Sequence, residues 1–187
     1  MRLDKPRIPP LSSEQWDDEA AEVMKGFVAR GNVANIFTTM ANHPKLLRRW
    51  LVFANHILSK STLDARAREI LILRIGYLCR AEYEWAQHVV IGKRSGLSDD
   101  EIKGIAEGPG STRLPEPREQ LLLKAVDELH SDAFISDATW AGLAEHYETE
   151  QLMDIVFTVG QYNLVSMALN SFGVQLDAGL PTFKETT

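Results

Sequence analysis

The segment AEYEWAQH, residues 81–88, sets two carboxylates, two aromatic rings, a carboxamide and an imidazole side by side. Glu84 and His88 are four residues apart, so on a helix they share one face. A carboxylate and an imidazole so placed can form a surface pair, a metal half-site or an acid–base couple. Fifteen residues before Glu84 stands Glu69, followed directly by Ile70, Leu71, Ile72 and Leu73. A carboxylate in apolar surroundings is costly unless it is paired, and a paired, desolvated carboxylate suits proton transfer. His88 is the side chain that changes charge near neutral pH, and Glu69 can orient its second ring nitrogen. Glu69, Glu84 and His88 are therefore the candidate catalytic set, expected to converge on one pocket.

Two other readings of the same residues stay open. Three ligands from Glu69, Glu84 and His88 would resemble an open metal site, although no second E-x-x-H or H-x-x-x-H cluster supports it. The polar groups can also be structural, as the buried network of a non-catalytic helical oligomer. An apolar cavity meeting the set would favour an enzyme.

These side chains must be positioned by helices, because nothing in the sequence reads as a strand. Residues 1–16 hold three prolines and no periodicity, which reads as an extended arm; residues 17–187 read as a single domain. Helical patterns cover 17–29, 35–41 and 44–58, where Leu47, Leu51, Ala54 and Leu58 are spaced for burial. A nearly all-apolar helix follows over 63–77, with Ser61 or Thr62 as its cap, and marks the centre of the fold. A break near Cys79–Arg80–Ala81 lets the helix over 82–95 fold back on it. Ser98 and Glu101 form a capping box for 98–107. Residues 107–117 read as a loop. Helices at 118–130, 137–147 and 149–172 complete an all-α chain, and Gly173 stops the last of them.

Composition bounds the function classes. Lys and Arg total 20 against 26 Asp and Glu, a formal net charge of −6. An acidic chain is not built to hold nucleic acid or an anionic membrane. No run of uncharged apolar residues reaches the ~18 expected of a membrane span. The first residues carry charges and prolines where an export signal has its apolar segment, so cytoplasm is the expected location. The single Cys79 cannot form an internal disulfide or a two-cysteine redox cycle.

The stretch REILILRIGYLCRAEYEWAQHVVIGKRSGL, residues 68–97, resembles the carboxymuconolactone decarboxylase/AhpD-like family. Redox members of that family carry a glutamate and, twelve residues on, C-x-x-C-x-x-x-H. With the glutamate placed on Glu69, the two cysteine positions fall on Ala81 and Glu84, and the histidine on His88. The resemblance extends over about 35–175, with YNLVSMALNSFGVQLD similar to the closing helix. It implies an AhpD-like helical bundle with a central active-site hairpin, assembled as a homo-trimer or hexamer. It does not imply a metal, and its namesake branch works without a cofactor.

Without both thiols, a disulfide-cycling peroxidase is disfavoured. The resemblance then points to the namesake branch, a cofactor-free lyase or isomerase acting on a small acidic, cyclic or aromatic-derived compound. Such chemistry needs one mobile proton and donors for a carboxylate and an enolate. Tyr83, Arg74, Asn163 and Phe37 are candidate substrate contacts. Each also has a plain structural reading: Tyr83 as packing, Arg74 as a salt-bridge partner, Asn163 in helix–helix hydrogen bonding with Gln161 and Tyr162, and Phe37 as a cover for the hairpin. Cys79 reads as a small buried hydrophobe.

Overall fold

The computed structural model describes residues 1–31 and 33–187 and, among them, is all helical, with ten α-helices and no strand. The helices are α1 (Asp18–Ala29), α2 (Asn35–Met40), α3 (Pro44–Ser59), α4 (Ala65–Leu78), α5 (Glu82–Arg94), α6 (Asp99–Glu107), α7 (Pro117–Asp132), α8 (Asp137–Ala144), α9 (Thr149–Phe172) and α10 (Phe183–Thr186). The short α10 was not expected from the sequence. The helix expected over 137–147 ends as α8 at Ala144.

Helix α4 is the axis of the fold. Its apolar run leaves no polar stripe, so it is buried all round, with α5, α6, α7 and α9 packed against it. Its cap is Asp64, whose carboxylate accepts from the Ala67 N–H at 2.8 Å. Ser61 and Thr62, expected as the cap, instead bind Asp154 of α9, with the Thr62 N–H at 2.6 Å. They tie the start of α4 to α9 and leave the capping to the next acid along the chain.

The reversal between α4 and α5 is made by Arg80, a non-glycine residue in the left-handed region at φ 51°. The two helices then lie close along their length. At Gly92 of α5, a Cβ would stand 3.0 Å from Leu97 and 3.3 Å from Leu73, so only hydrogen fits without a shift. This contact holds α5 down on α4 where the polar residues of both meet.

The main core gathers around α4, with Ile70, Leu71, Ile72, Leu73 and Trp85 inaccessible to solvent. A smaller cluster, including Ala20, Met24, Ala41 and Leu47, binds α1 and α3 into a separate wall. A third, of Tyr83, Val165, Leu169 and Val174, joins α5, α9 and the chain after Gly173. Residues 1–16 hold one 3-10 turn, at Ser13–Gln15, and no α-helix. Arg7 and Ile8 donate to the Phe172 carbonyl, and Leu11 donates to that of Thr38.

Candidate active site

Glu69 projects from the middle of α4 towards α5, and His88 projects back from α5. His88 Nδ1 lies 2.6 Å from Glu69 Oε2. One turn before His88, Glu84 brings Oε1 within 3.0 Å of His88 Nε2. Arg68 Nε approaches the other oxygen of Glu69 at 3.4 Å. The four side chains form a line of alternating charge, Arg68, Glu69, His88, Glu84. Glu69 is fully buried, and Glu84 and His88 nearly so.

Such a line is costly to desolvate and holds only because each charge meets its opposite. Burial by itself opposes a charged imidazole. The two carboxylates outweigh it and push the His88 pKa up to about 10. With one carboxylate on each ring nitrogen, the protonated imidazole donates at both ends and keeps no free lone pair.

The line ends at a cleft of about 720 Å³, within the range of small-molecule sites. Glu84, His88, Tyr83 and Gln87 of α5 line it on one side, and Gln161, Tyr162 and Val165 of α9 on another. The opposite wall comes from α1, α2 and α3, with Phe27, Phe37 and Trp50 forming an aromatic band. The Phe27 and Phe37 centroids are 4.1 Å apart, and Phe37 and Trp50 are 6.4 Å apart. Arg30 and Arg48 also line the cleft, and both are exposed. Glu69 is not on the wall: it stands behind His88. The three residues expected on one pocket therefore form a chain, of which only the outer two meet the cavity.

Tyr162 stands edge-on to His88, with ring centroids 5.0 Å apart at 83°. Burial, then the nearby charges of Glu84 and Glu69, raise its pKa well above the usual phenol value, so it stays a neutral donor. The side chain is 5% exposed. Its hydroxyl is bonded to no described residue, and Tyr162 lines the cleft. Glu84 lines the cleft as well, with Oε1 spent on His88.

Tyr83 does line the cleft, but its hydroxyl is occupied. It donates to Asp177 at 2.6 Å and accepts from the Ile36 N–H and from Gln87, both at 3.2 Å. Asp177 also accepts from Gln87 at 2.7 Å and from the Asn35 N–H at 2.9 Å. One carboxylate of the C-terminal tail thus fastens α2 to α5 at the cleft.

Two candidate contacts lie elsewhere. Arg74 is five residues beyond Glu69, roughly 140° round the helix, and faces α6 and α7. Its guanidinium holds Asp127 at 2.7 and 2.8 Å and caps the Ile105 and Ala106 carbonyls at the end of α6. Asn163 accepts from the Cys79 thiol at 3.1 Å, away from the cleft. Burial pushes the Cys79 pKa up, so the thiol stays protonated.

Sequence reasoning did not single out Gln87, Trp50, Arg30 or Arg48 as site residues. Gln87 had a usable signal, since it stands one helical turn after Tyr83 and beside His88. On α3, Leu51 and Leu58, expected in the core, instead line the cleft, while Leu47, Ala54 and Ile57 are buried.

Metal ligation by the trio does not suit this arrangement. Glu69 and Glu84 sit at opposite ends of the imidazole, so their lone pairs do not point at a common centre, and no metal-like cluster of three His, Cys, Asp or Glu occurs among the described residues.

Comparison with known proteins gives a family and a fold. No curated protein matches the chain. Residues 44–114, which hold α3 to α6 and with them Glu69, Glu84 and His88, match the carboxymuconolactone decarboxylase family. The whole chain is similar to an uncharacterized peroxidase-related protein with an alkylhydroperoxidase AhpD core from Ralstonia eutropha. The TM-score is 0.80 at 18% identity, over 92% of this chain and 93% of that one. A putative antioxidant defence protein AhpD from Agrobacterium tumefaciens superposes with a TM-score of 0.69 at 20% identity, over 74% of this chain and 95% of that one. The debrominase Bmp8, in apo form, gives 0.75 at 15% identity, over 94% and 95%. A variant of Bmp8 in complex with 2,3,4-tribromopyrrole superposes equally well. The segment 44–114 thus matches the carboxymuconolactone decarboxylase family, and the chain as a whole has the AhpD-like helical fold.

Proposed function

We propose that the protein is a cofactor-free lyase or isomerase that moves one proton on a small acidic compound with a cyclic or aromatic-derived skeleton. The observation that carries this reading is the line Glu69–His88–Glu84, which begins in the core and ends on the wall of a cleft.

The roles follow from the geometry. His88 is engaged at both nitrogens, so the group that meets substrate is Glu84, through Oε2. Glu84 takes a proton from a carbon next to a carbonyl, and the electron pair moves onto the carbonyl oxygen as an enolate. The Tyr162 hydroxyl donates a hydrogen bond to that oxygen. Returning the proton from Glu84 to another carbon of the same enolate completes an isomerisation. In the lyase variant, loss of carbon dioxide from the bound acid generates the enolate, and Glu84 passes a proton taken up from solvent to its carbon. His88 holds Glu84 in place, and Glu69 holds His88. The band of Phe27, Phe37 and Trp50 suits a flat skeleton, as does the brominated pyrrole bound by the Bmp8 variant, and Arg30 and Arg48 supply cations for a substrate carboxylate.

A thiol peroxidase reading has less support. The expected thiol positions are Ala81 and Glu84, and Cys79 is held by Asn163 outside the cleft.

The test is a panel of cyclic lactone, keto and hydroxyaromatic acids incubated in heavy water and followed by proton NMR. The expected result is solvent deuterium at one carbon of a panel member with the native protein, and none with Glu84→Gln. Undiminished exchange or turnover in Glu84→Gln would remove Glu84 from the chemistry and with it this reading.

A further inference from the structure

Gln161 interrupts an apolar row of α9. Phe157, Gln161 and Val165 follow one another at four-residue spacing, so they share one strip of the helix. That strip faces α3: Phe157 meets Phe53 edge-on at 6.0 Å, and Val165 lies in the cluster against which Trp50 packs. Between those two contacts Gln161 lines the cleft. It is only 5% exposed, and its carboxamide is bonded to no described residue. The helix–helix hydrogen bonding expected of it is therefore not made by the described residues. A buried carboxamide has two donors and an acceptor to satisfy, and leaving them unmet costs stability. On the wall of a cavity, such a group marks a ligand contact.

The polar groups of the cleft are sorted between its walls. On the near wall the charges are spent on each other, Glu84 on His88, while Tyr83 and Gln87 are both bonded to Asp177. The adjoining residues Gln161 and Tyr162 of α9 add two neutral donors there. The far wall lies wholly within the segment 23–63, which carries six Lys and Arg and no Asp or Glu, although the chain is acidic overall. Its cations on the cleft are Arg30, at the end of α1, and Arg48 of α3.

We infer that Gln161 binds the substrate, its N–H donating together with the Tyr162 hydroxyl to one oxygen, and that this oxygen belongs to an un-ionised carbonyl, a ketone or lactone, of a molecule whose carboxylate lies elsewhere. This assignment rests on the proton-transfer reading of the cleft and names a substrate class within it. Two neutral donors gain strength as charge grows on the oxygen, so they favour the enolate over the resting carbonyl. An ionised carboxylate is held better by a guanidinium, and the guanidinium groups stand on the other wall. The substrate therefore lies across the cleft, its carbonyl on α9 and its carboxylate towards α1 and α3.

The test uses 3,5-difluoro-4-hydroxybenzoate, a flat acid whose phenolate oxygen stands in for the enolate and whose absorption moves to longer wavelength on ionisation. The native protein is expected to bind it as the phenolate and to lower the pKa of the bound phenol. Gln161→Leu keeps the bulk and removes the amide. It is expected to weaken phenolate binding about 10-fold and to move the bound phenol back up by about one pKa unit. Tyr162→Phe is expected to act in the same direction. 3,5-Difluorobenzoate, which lacks the hydroxyl, is expected to bind the native protein and Gln161→Leu equally well. The melting temperature of Gln161→Leu should hold or rise, since an unmet buried amide becomes apolar. An unshifted phenol in the native protein, equal phenolate affinity in Gln161→Leu, or an equal loss for 3,5-difluorobenzoate would overturn the assignment. A lowered melting temperature would overturn it too, by marking a structural bond. Phenolate binding needs no turnover, so the two readings fail separately. Deuterium exchange that survives Glu84→Gln removes the chemistry of Glu84 whatever the phenolate does, and an unshifted phenolate removes Gln161 while the exchange result stands.

Discussion

Glu69 and His88 meet at 2.6 Å across the α4–α5 hairpin, one from each helix, with the carboxylate wholly withdrawn from solvent. The pair sets the charge of the imidazole, and the imidazole in turn sets the position of Glu84. Removing the Glu69 charge while keeping its shape, in Glu69→Gln, is expected to lower the His88 pKa from about 10. The measurement is a histidine NMR titration. Activity and stability should both fall, since Arg68 and His88 lose the buried carboxylate that faces them. An unchanged His88 titration would show that Glu69 does not govern it.

Glu84→Gln is expected to cost about 100-fold or more in turnover, the ordinary size of general acid–base catalysis. His88→Gln should lose activity too, but retain some, because Glu84 remains on the cleft wall. Equal, total losses in both would place the reacting group on His88 instead.

The charged line also gives stability a pH dependence of definite sign. The folded-state pKa of His88 lies above its ordinary value of 6.5, at about 10. Its stabilising contribution is then complete below about pH 6.5 and is lost as pH rises through about 10. Urea midpoints of the native protein should fall over that interval more steeply than those of His88→Gln. Parallel slopes would mean that the imidazole carries no extra proton in the folded state.

Tyr162→Phe removes a hydroxyl that has no partner among the described residues, so unfolding should change by no more than about 0.5 kcal/mol. Turnover is expected to drop about 10- to 100-fold, since a donor to the developing enolate is gone. A large loss of stability would instead reveal a structural bond.

Cys79→Ser should leave every activity unchanged. Hydroperoxide consumption with a dithiol reductant, present in the native protein and absent in Cys79→Ser, would restore the redox reading.

Much of this was legible in the sequence for physical reasons. The unbroken apolar run of α4 could only be a core helix, and the fixed spacing of Glu69, Glu84 and His88 brings them together once α5 folds back. Local spacing could not show that His88 is engaged at both nitrogens, which leaves Glu84 as the outer carboxylate on the cleft wall. It also could not show the far wall, where Arg30, Arg48 and Trp50 arrive from helices with no pattern linking them to the hairpin. Arg74 was misplaced because its charge in an apolar run drew notice while its angular offset from Glu69 did not.

The left-handed turn at Arg80 has a consequence for how the molecule acquires its chemistry in time. Glu69 and His88 are only 19 residues apart and joined by that single turn. The loop to be closed is short, and short loops close early. Tyr162 and the α9 wall must cross a far longer stretch of chain before they dock. The Glu69–His88 pair is therefore expected to form in the folding nucleus, with high φ-values at Leu73 and Val89, while the cleft beside it is completed late and is the first part to open when the protein loosens.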